Sequence, residues 1–391
     1  MPALFLVFSA CAFASGFALR AVDPLVLPIA QAFSIAPAIA ALLSTAYALP
    51  YALAQPFLGP LGDRLGKLRC MQMCIAGLAV MLLLGTVAPS FELLMASRIA
   101  AGAFAGGLIP LVLASLGDLH AAGDERQVAI GRMLVAIISG QMLGSVVAGF
   151  ADATAGWRSG LAVAALIAVA AAVLTWRTLS RTRPRAAPVA PAVPLGVGAL
   201  YGRVFQNPKA LWLYGAVILE GMLVFAPFPY IGALLVERTG SSLAAAPREA
   251  GLVLGAFGIG GLAYAIAVRR IIKKVGVRRM CIAGAIGSAA AFGALAVLRW
   301  WWLDALAMAV GGVAFYMLHN SLQAEATELA PLARGSAVAL FACGFFLGQA
   351  IGPLLFGALA QAAGFTTALL ACSLGLMGLA PLVVRKVIAR T

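Results

Sequence analysis

The sequence predicts an all-α membrane protein with twelve transmembrane helices in two pseudo-symmetric six-helix bundles. Three observations carry that expectation. The 391 residues are 63% hydrophobic and only 10% charged, with a mean hydropathy of +1.03. Soluble domains run at about 45–50% apolar and about 25% charged. Twelve apolar runs, each near the roughly 20 residues a helix needs to cross hydrocarbon, are separated by charged or Gly/Pro-rich breaks. The last six runs also repeat a pattern found in the first six.

Six runs precede residue 178, at 4–29, 37–61, 70–88, 91–117, 127–150 and 158–176. Six follow residue 209, at 210–236, 249–271, 280–298, 301–324, 335–360 and 365–385. They are continuous and not alternating, which favours helices over barrel strands. The bundles are therefore expected at 1–178 and 210–391, joined by a linker over 179–209. In that linker Arg181, Arg183 and Arg185 are followed by Pro188, Pro191 and Pro194, a Pro-spaced basic stretch that predicts extended chain. Met1-Pro2 supplies no basic leader, and apolar character resumes beyond Arg20 and Asp23. The first run is thus expected to be retained as a span and not cleaved as a signal.

The net charge of +14 can suggest nucleic acid, but its distribution suggests topology instead. With both termini placed in the cytoplasm, 21 of the 27 Lys and Arg residues fall on the cytoplasmic side, as the positive-inside rule requires. Trp300, Trp301 and Trp302 then form an interfacial belt on the other side. The expected setting is a bacterial inner membrane, multi-pass, with the bilayer and not nucleic acid as partner, and with the chain acting as a monomer.

The repeat is specific. Gly140-Gln141-Met142-Leu143-Gly144 through Gly149 aligns with Gly348-Gln349-Ala350-Ile351-Gly352 through Gly357 at a constant offset of 208. At that offset Arg126 meets Arg334 and Gly156 meets Gly364. Small residues spaced by four let helices approach closely within a bilayer. Gly66-Lys67-Leu68-Arg69 is echoed by Gly276-Val277-Arg278-Arg279. Parallel six-span repeats characterise a large class of secondary transporters, with the site between the halves near mid-membrane.

The segment Gly59-Pro60-Leu61-Gly62-Asp63-Arg64-Leu65-Gly66-Lys67-Leu68-Arg69 resembles the helix 2–3 loop signature of the major facilitator superfamily, G-x-x-x-D-R-x-G-[RK]-[RK]-[RK]. Arg98-Ile99-Ala100-Ala101-Gly102 is similar to the fourth-helix element of its proton-coupled members, with Ala101 at the usual Gln. The Gly run of the fifth span resembles the antiporter element, with Ser145 at the Pro position and Ala148 at the first Gly of the closing pair. The resemblance is to the twelve-helix drug:proton antiporter group. It implies a gating role for Gly59, Asp63, Arg64, Gly66, Lys67 and Arg69, helped by Asp118 as the acid ending the fourth helix. Independently, Asp63 can accept hydrogen bonds at a helix N-terminus. A solvated basic loop serving topology alone is the other reading of this segment.

Ionisable groups inside spans are costly and mark functional hypotheses. Arg20 and Asp23 lie one turn apart in the first span, with Arg98 at comparable depth in the fourth. Asp23 can pair with either arginine, as a proton-exchanging pair or as a permanent packing contact. Glu220 stands within the apolar run Leu211–Val224, with no basic neighbour in sequence, as befits a proton or cation site. The tenth span carries Tyr316, His319, Asn320 and Gln323, of which Tyr316, His319 and Gln323 follow helical spacing. Ser44, Tyr47, Tyr51 and Gln55 share a face of the second span.

The six cysteines lie in or beside apolar runs, which argues against a disulfide framework. No P-loop and no metal-ligand spacing occur, so no metal or cofactor is expected. No convergent catalytic cluster suggests an enzyme. The expected function is secondary active transport: proton-coupled efflux of a small organic compound by alternating access. A proton-coupled or facilitative importer of a metabolite or metal is the alternative.

Overall fold

A computed structural model describes residues 2–119, 124–181, 197–330 and 333–388 and, within its helices, leaves out a few side chains, among them Gly59, Asp63, Arg64, Asp118 and Arg126. Nearly all of it is helix. Helix α1 (Pro2–Arg20) leads through a 3-10 turn (Asp23–Leu25) into α2 (Val26–Ala32). Then come α3 (Pro37–Leu65), α4 (Lys67–Thr86), α5 (Phe91–Ala105), α6 (Leu108–Leu119), α7 (Asp124–Ala155) and α8 (Trp157–Arg181). A short α9 (Val197–Phe205) precedes α10 (Ala210–Phe225), a second 3-10 turn (Phe228–Tyr230) and α11 (Ile231–Thr239). Helices α12 (Ala246–Val275), α13 (Val277–Val297), α14 (Trp301–Glu328) and α15 (Arg334–Lys386) complete the chain.

Among the described residues, eleven stretches are long and apolar enough to cross a membrane. The last of them, the 53-residue α15, bends at Gly364, and each arm is long enough to span. The backbone there has φ +84°, and its repeat mate Gly156, between α7 and α8, has φ +78°. Side chains rarely adopt such values, so glycine marks the same corner in both halves. Gly66 and Gly276 form a second such pair, at φ +90° and +76°.

Three expected spans are interrupted. The run 4–29 breaks at Asp23–Leu25, where Pro24 opens the turn without an N–H to donate. The run 210–236 breaks at Phe228–Tyr230 around Pro229, and 91–117 breaks at Gly106-Gly107 between α5 and α6. The linker also differs from the extended chain expected over 179–209. Helix α8 runs on to Arg181, α9 is helical, and 182–196 lie outside the described residues.

In the first half α1 packs on α7 and α8, α4 on α5 and α8, and α3 on α5. In the second, α10 packs on α15, α13 on α14 and α15, and α12 on α14. Across the halves α7 meets α12, α3 meets α15, and the two 3-10 turns touch. Glycines set the closest approaches. Gly140 and Gly144 of α7 lie against the carbonyls of Phe13 and Phe17 in α1. Gly348 and Gly352 of α15 lie in the same way against Ile218 and Met222 of α10. Gly149 and Gly357 diverge from the repeat: the first meets the Pro247 carbonyl across the halves, the second the Tyr230 hydroxyl. Large apolar side chains such as Phe57, Leu211 and Ile266 face outward, the arrangement expected where lipid is the solvent.

Candidate functional site

Arg20 is the last residue of α1, and the turn that follows folds Asp23 back beneath it. Both are buried, at 6% and 1% exposure. Arg20 Nη1 lies 3.3 Å from Asp23 Oδ2, and Ser44 of α3 donates to Asp23 Oδ1 at 2.7 Å. Arg20 Nη2 donates to Gln349 Oε1 of α15. Its guanidinium also lies 4.2 Å from the ring centre of Phe225 and 5.0 Å from that of Phe228, within cation–π range. A charged group of the first half is thus held by side chains of the second.

Arg98 of α5 is buried beside this cluster. It donates to the Ala18 carbonyl at 3.1 Å and lies 4.2 Å over the Tyr47 ring. Of the two arginines open to Asp23 from sequence, the ion pair is made with Arg20. Tyr51, one turn beyond Tyr47, packs on Phe346 of α15 with ring centres 4.0 Å apart.

A second pair corrects the expectation drawn from Glu220's lack of a basic neighbour in sequence, that it stands unpaired. Glu220 is not unpaired: its Oε2 lies 2.9 Å from His319 Nδ1 of α14. The partner is 99 residues away in sequence, so a search of sequence neighbours misses it. Glu220 is fully buried, and a carboxylate in an apolar interior needs such a partner. The His319 ring is walled by Phe315, Phe341 and Phe345, with centroids 5.2, 5.2 and 4.5 Å away.

Other polar residues of α14 point elsewhere. Asn320 donates to the Tyr264 hydroxyl at 2.8 Å, and Tyr264 stacks on Tyr316. Tyr316 reaches toward Arg20, whereas Gln323 is exposed. The shared face expected for Tyr316, His319 and Gln323 therefore does not form a single site. Of the loop signature, Gly66 makes the α3–α4 turn and Lys67 and Arg69 begin α4, with Arg69 exposed. Gly59, Asp63, Arg64 and Asp118 lie outside the described residues in their side chains.

Two narrow clefts meet at Arg20. One is lined by Gln141, Met142, Ser145, Phe228, Phe257 and Tyr316, among others, and the second by Asp23, Ser44, Phe225, Gln349 and Pro353, among others. Gln349, Phe225 and Phe228 were not singled out from sequence. A signal was available for the first, since Gln349 and Gln141 occupy matching positions of the glycine repeat. Among the described residues no cluster of His, Cys, Asp and Glu is suited to a metal ion.

Comparison with known proteins follows the same lines. Over 90% of each chain this sequence is 26% identical to an uncharacterized MFS-type transporter, YceJ, of Bacillus subtilis (strain 168). It is 26% identical to a probable sugar efflux transporter of Helicobacter pylori (strain G27), over 85% of this chain and 81% of that one. The fold matches a crystal structure of the nucleoside transporter NupG with a TM-score of 0.78, covering 96% of this chain and 98% of that one at 15% identity. The family model of the Major Facilitator Superfamily matches residues 8–331 and 231–390. The repeated glycine corners, the helical core and these matches lead to one conclusion: the chain belongs to the Major Facilitator Superfamily of transporters.

Proposed function

We propose that this transporter exports a small organic compound across a bacterial inner membrane, as a monomer, in exchange for protons. Two six-helix bundles, 1–178 and 210–391, rock about the interface where α7 meets α12 and α3 meets α15, with 179–209 as the cytoplasmic linker. The observation that carries the reading is the presence of two pairs of titratable side chains, the buried Arg20–Asp23 ion pair and the buried Glu220 bonded to His319, inside an otherwise apolar interior. Such groups are costly within a membrane unless they serve binding or proton transfer.

In this mechanism Glu220 and His319 hold a proton between them, and Asp23 exchanges one as Arg20 changes partners. The Arg20–Gln349 bond and the stacking on Phe225 and Phe228 tie the halves together, so cargo arrival at Arg20 and rearrangement of the halves are linked. Arg98, Tyr47 and Tyr51 support the pair from α5 and α3. The turn at Gly66, with Asp63, Arg64, Lys67, Arg69 and Asp118, biases the conformational equilibrium on the basic side. Export is favoured over import by the Helicobacter relative, whose name describes probable sugar efflux.

A thermal-shift screen of drugs, sugars, organic acids and metals against the purified protein identifies a ligand. Its accumulation in proteoliposomes is then compared under inward and outward pH gradients. Export by exchange requires accumulation on the side of higher proton concentration, opposite to proton flow. Accumulation along the direction of proton flow contradicts exchange, and insensitivity to the gradient contradicts coupling.

A further inference from the structure

The charges around Arg20 do not balance. Arg20 and Arg98 are buried at 6% and 2% exposure, and Asp23 is within electrostatic reach of both. Among the described residues Asp23 is the sole carboxylate lining either cleft, and Arg98 makes no ion pair. Tyr316 faces Arg20 from α14 but is a neutral phenol. Two guanidinium ions therefore share one carboxylate. Buried charge without a counter-charge is expensive, so the site is one negative charge short.

Spare donors mark where that charge belongs. Arg20 Nε makes no hydrogen bond, and neither does Gln349 Nε2, although Gln349 is 4% exposed and its oxygen already accepts from Arg20. Both residues line the second cleft, so an anionic group bound there has a spare N–H on each to draw on. The surroundings are apolar: Phe225, Phe228, Phe257, Met142 and Pro353 line the clefts. A sugar would leave most of its hydroxyl groups without partners against such walls. An ammonium group would meet two like charges and a carboxylate already engaged by Arg20 and Ser44.

We infer that the cargo carries a single anionic group, a carboxylate, on an apolar body, and that Arg20 and Gln349 bind its anionic end. Arg98 supplies the balancing positive charge from behind, so the loaded site is neutral. This rests on the transport function proposed above and names its substrate class.

The test uses three compounds of one shape: naphthoate, naphthylmethanol and naphthylmethylammonium, titrated against the purified full chain with tryptophan fluorescence and thermal shift. Naphthoate is expected to bind at least about tenfold tighter than either other compound, the ratio that one added charge-assisted hydrogen bond supplies. Arg20→Gln removes the preference. Gln349→Glu provides the missing anion from the protein itself, so this variant keeps or raises its unfolding temperature while losing naphthoate affinity about tenfold or more. Equal or tighter binding of the alcohol or the ammonium compound overturns the inference, as does naphthoate affinity indifferent to Gln349→Glu. The two claims separate in vesicles. Naphthoate preference without proton movement upholds the anion site and refutes proton coupling, whereas proton movement driven by the ammonium compound upholds coupling and refutes the anion site.

Discussion

Gln141 and Gln349 occupy equivalent positions in the two halves, and both border Arg20. Gln349 accepts a hydrogen bond from the guanidinium, while Gln141 lines the cleft beside it. The internal repeat thus converges on one unsymmetric charge. The first half supplies Arg20 and Asp23 at its 3-10 turn, and the second supplies Phe225 and Phe228 at the corresponding turn, where they pack against that arginine.

The close approaches set by glycine should be sensitive to a single methyl group. Gly348→Ala places a Cβ against the Ile218 carbonyl and the Met222 amide, forcing α15 away from α10. A loss of about 1–3 kcal/mol is expected. Gly131, with open space where a Cβ would stand, should tolerate alanine or gain slightly. Thermal unfolding of the two variants side by side checks the contrast.

Gly364→Ala tests the bend in α15. At φ +84° and ψ +160° a side chain is strained, at a cost of about 1–3 kcal/mol, even though open space surrounds the position. The equivalent Gly156→Ala should lose stability by a similar amount, because it makes the same corner in the first half. Unfolding midpoints that differ strongly between the two variants would contradict that equivalence.

His319→Phe preserves the aromatic packing with Phe315, Phe341 and Phe345 but leaves Glu220 buried without its partner. A cost of about 1–3 kcal/mol follows for the orphaned group. Adding Glu220→Leu to this variant should recover most of that loss, since an apolar pair needs no hydrogen bond. The four unfolding temperatures form a double-mutant cycle whose coupling measures the pair.

Much of the architecture was legible because membranes constrain sequence strongly. Long apolar runs name the spans, and glycines at positions 140, 144, 348 and 352 name the helix contacts, since no other residue permits those distances. Less legible was anything that depends on which helices cross. The bond between Glu220 and His319 joins α10 to α14, and that between Arg20 and Gln349 joins α1 to α15. Neither has a local sequence signature. The broken spans lie between these extremes: Pro24 and Pro229 announce a disturbed helix, but apolar residues continue on both sides of each short 3-10 turn and so hide the break from a hydropathy reading.

Proton movement by the reconstituted protein addresses the central claim most directly. Liposomes loaded with a pH-sensitive dye and carrying wild-type protein should show a cargo-dependent pH change. Glu220→Gln, whose amide can still hydrogen-bond His319, should keep its unfolding temperature within a few degrees and lose that pH change, and Asp23→Asn should diminish it. Full cargo-coupled proton movement by both Glu220→Gln and Asp23→Asn would contradict the account.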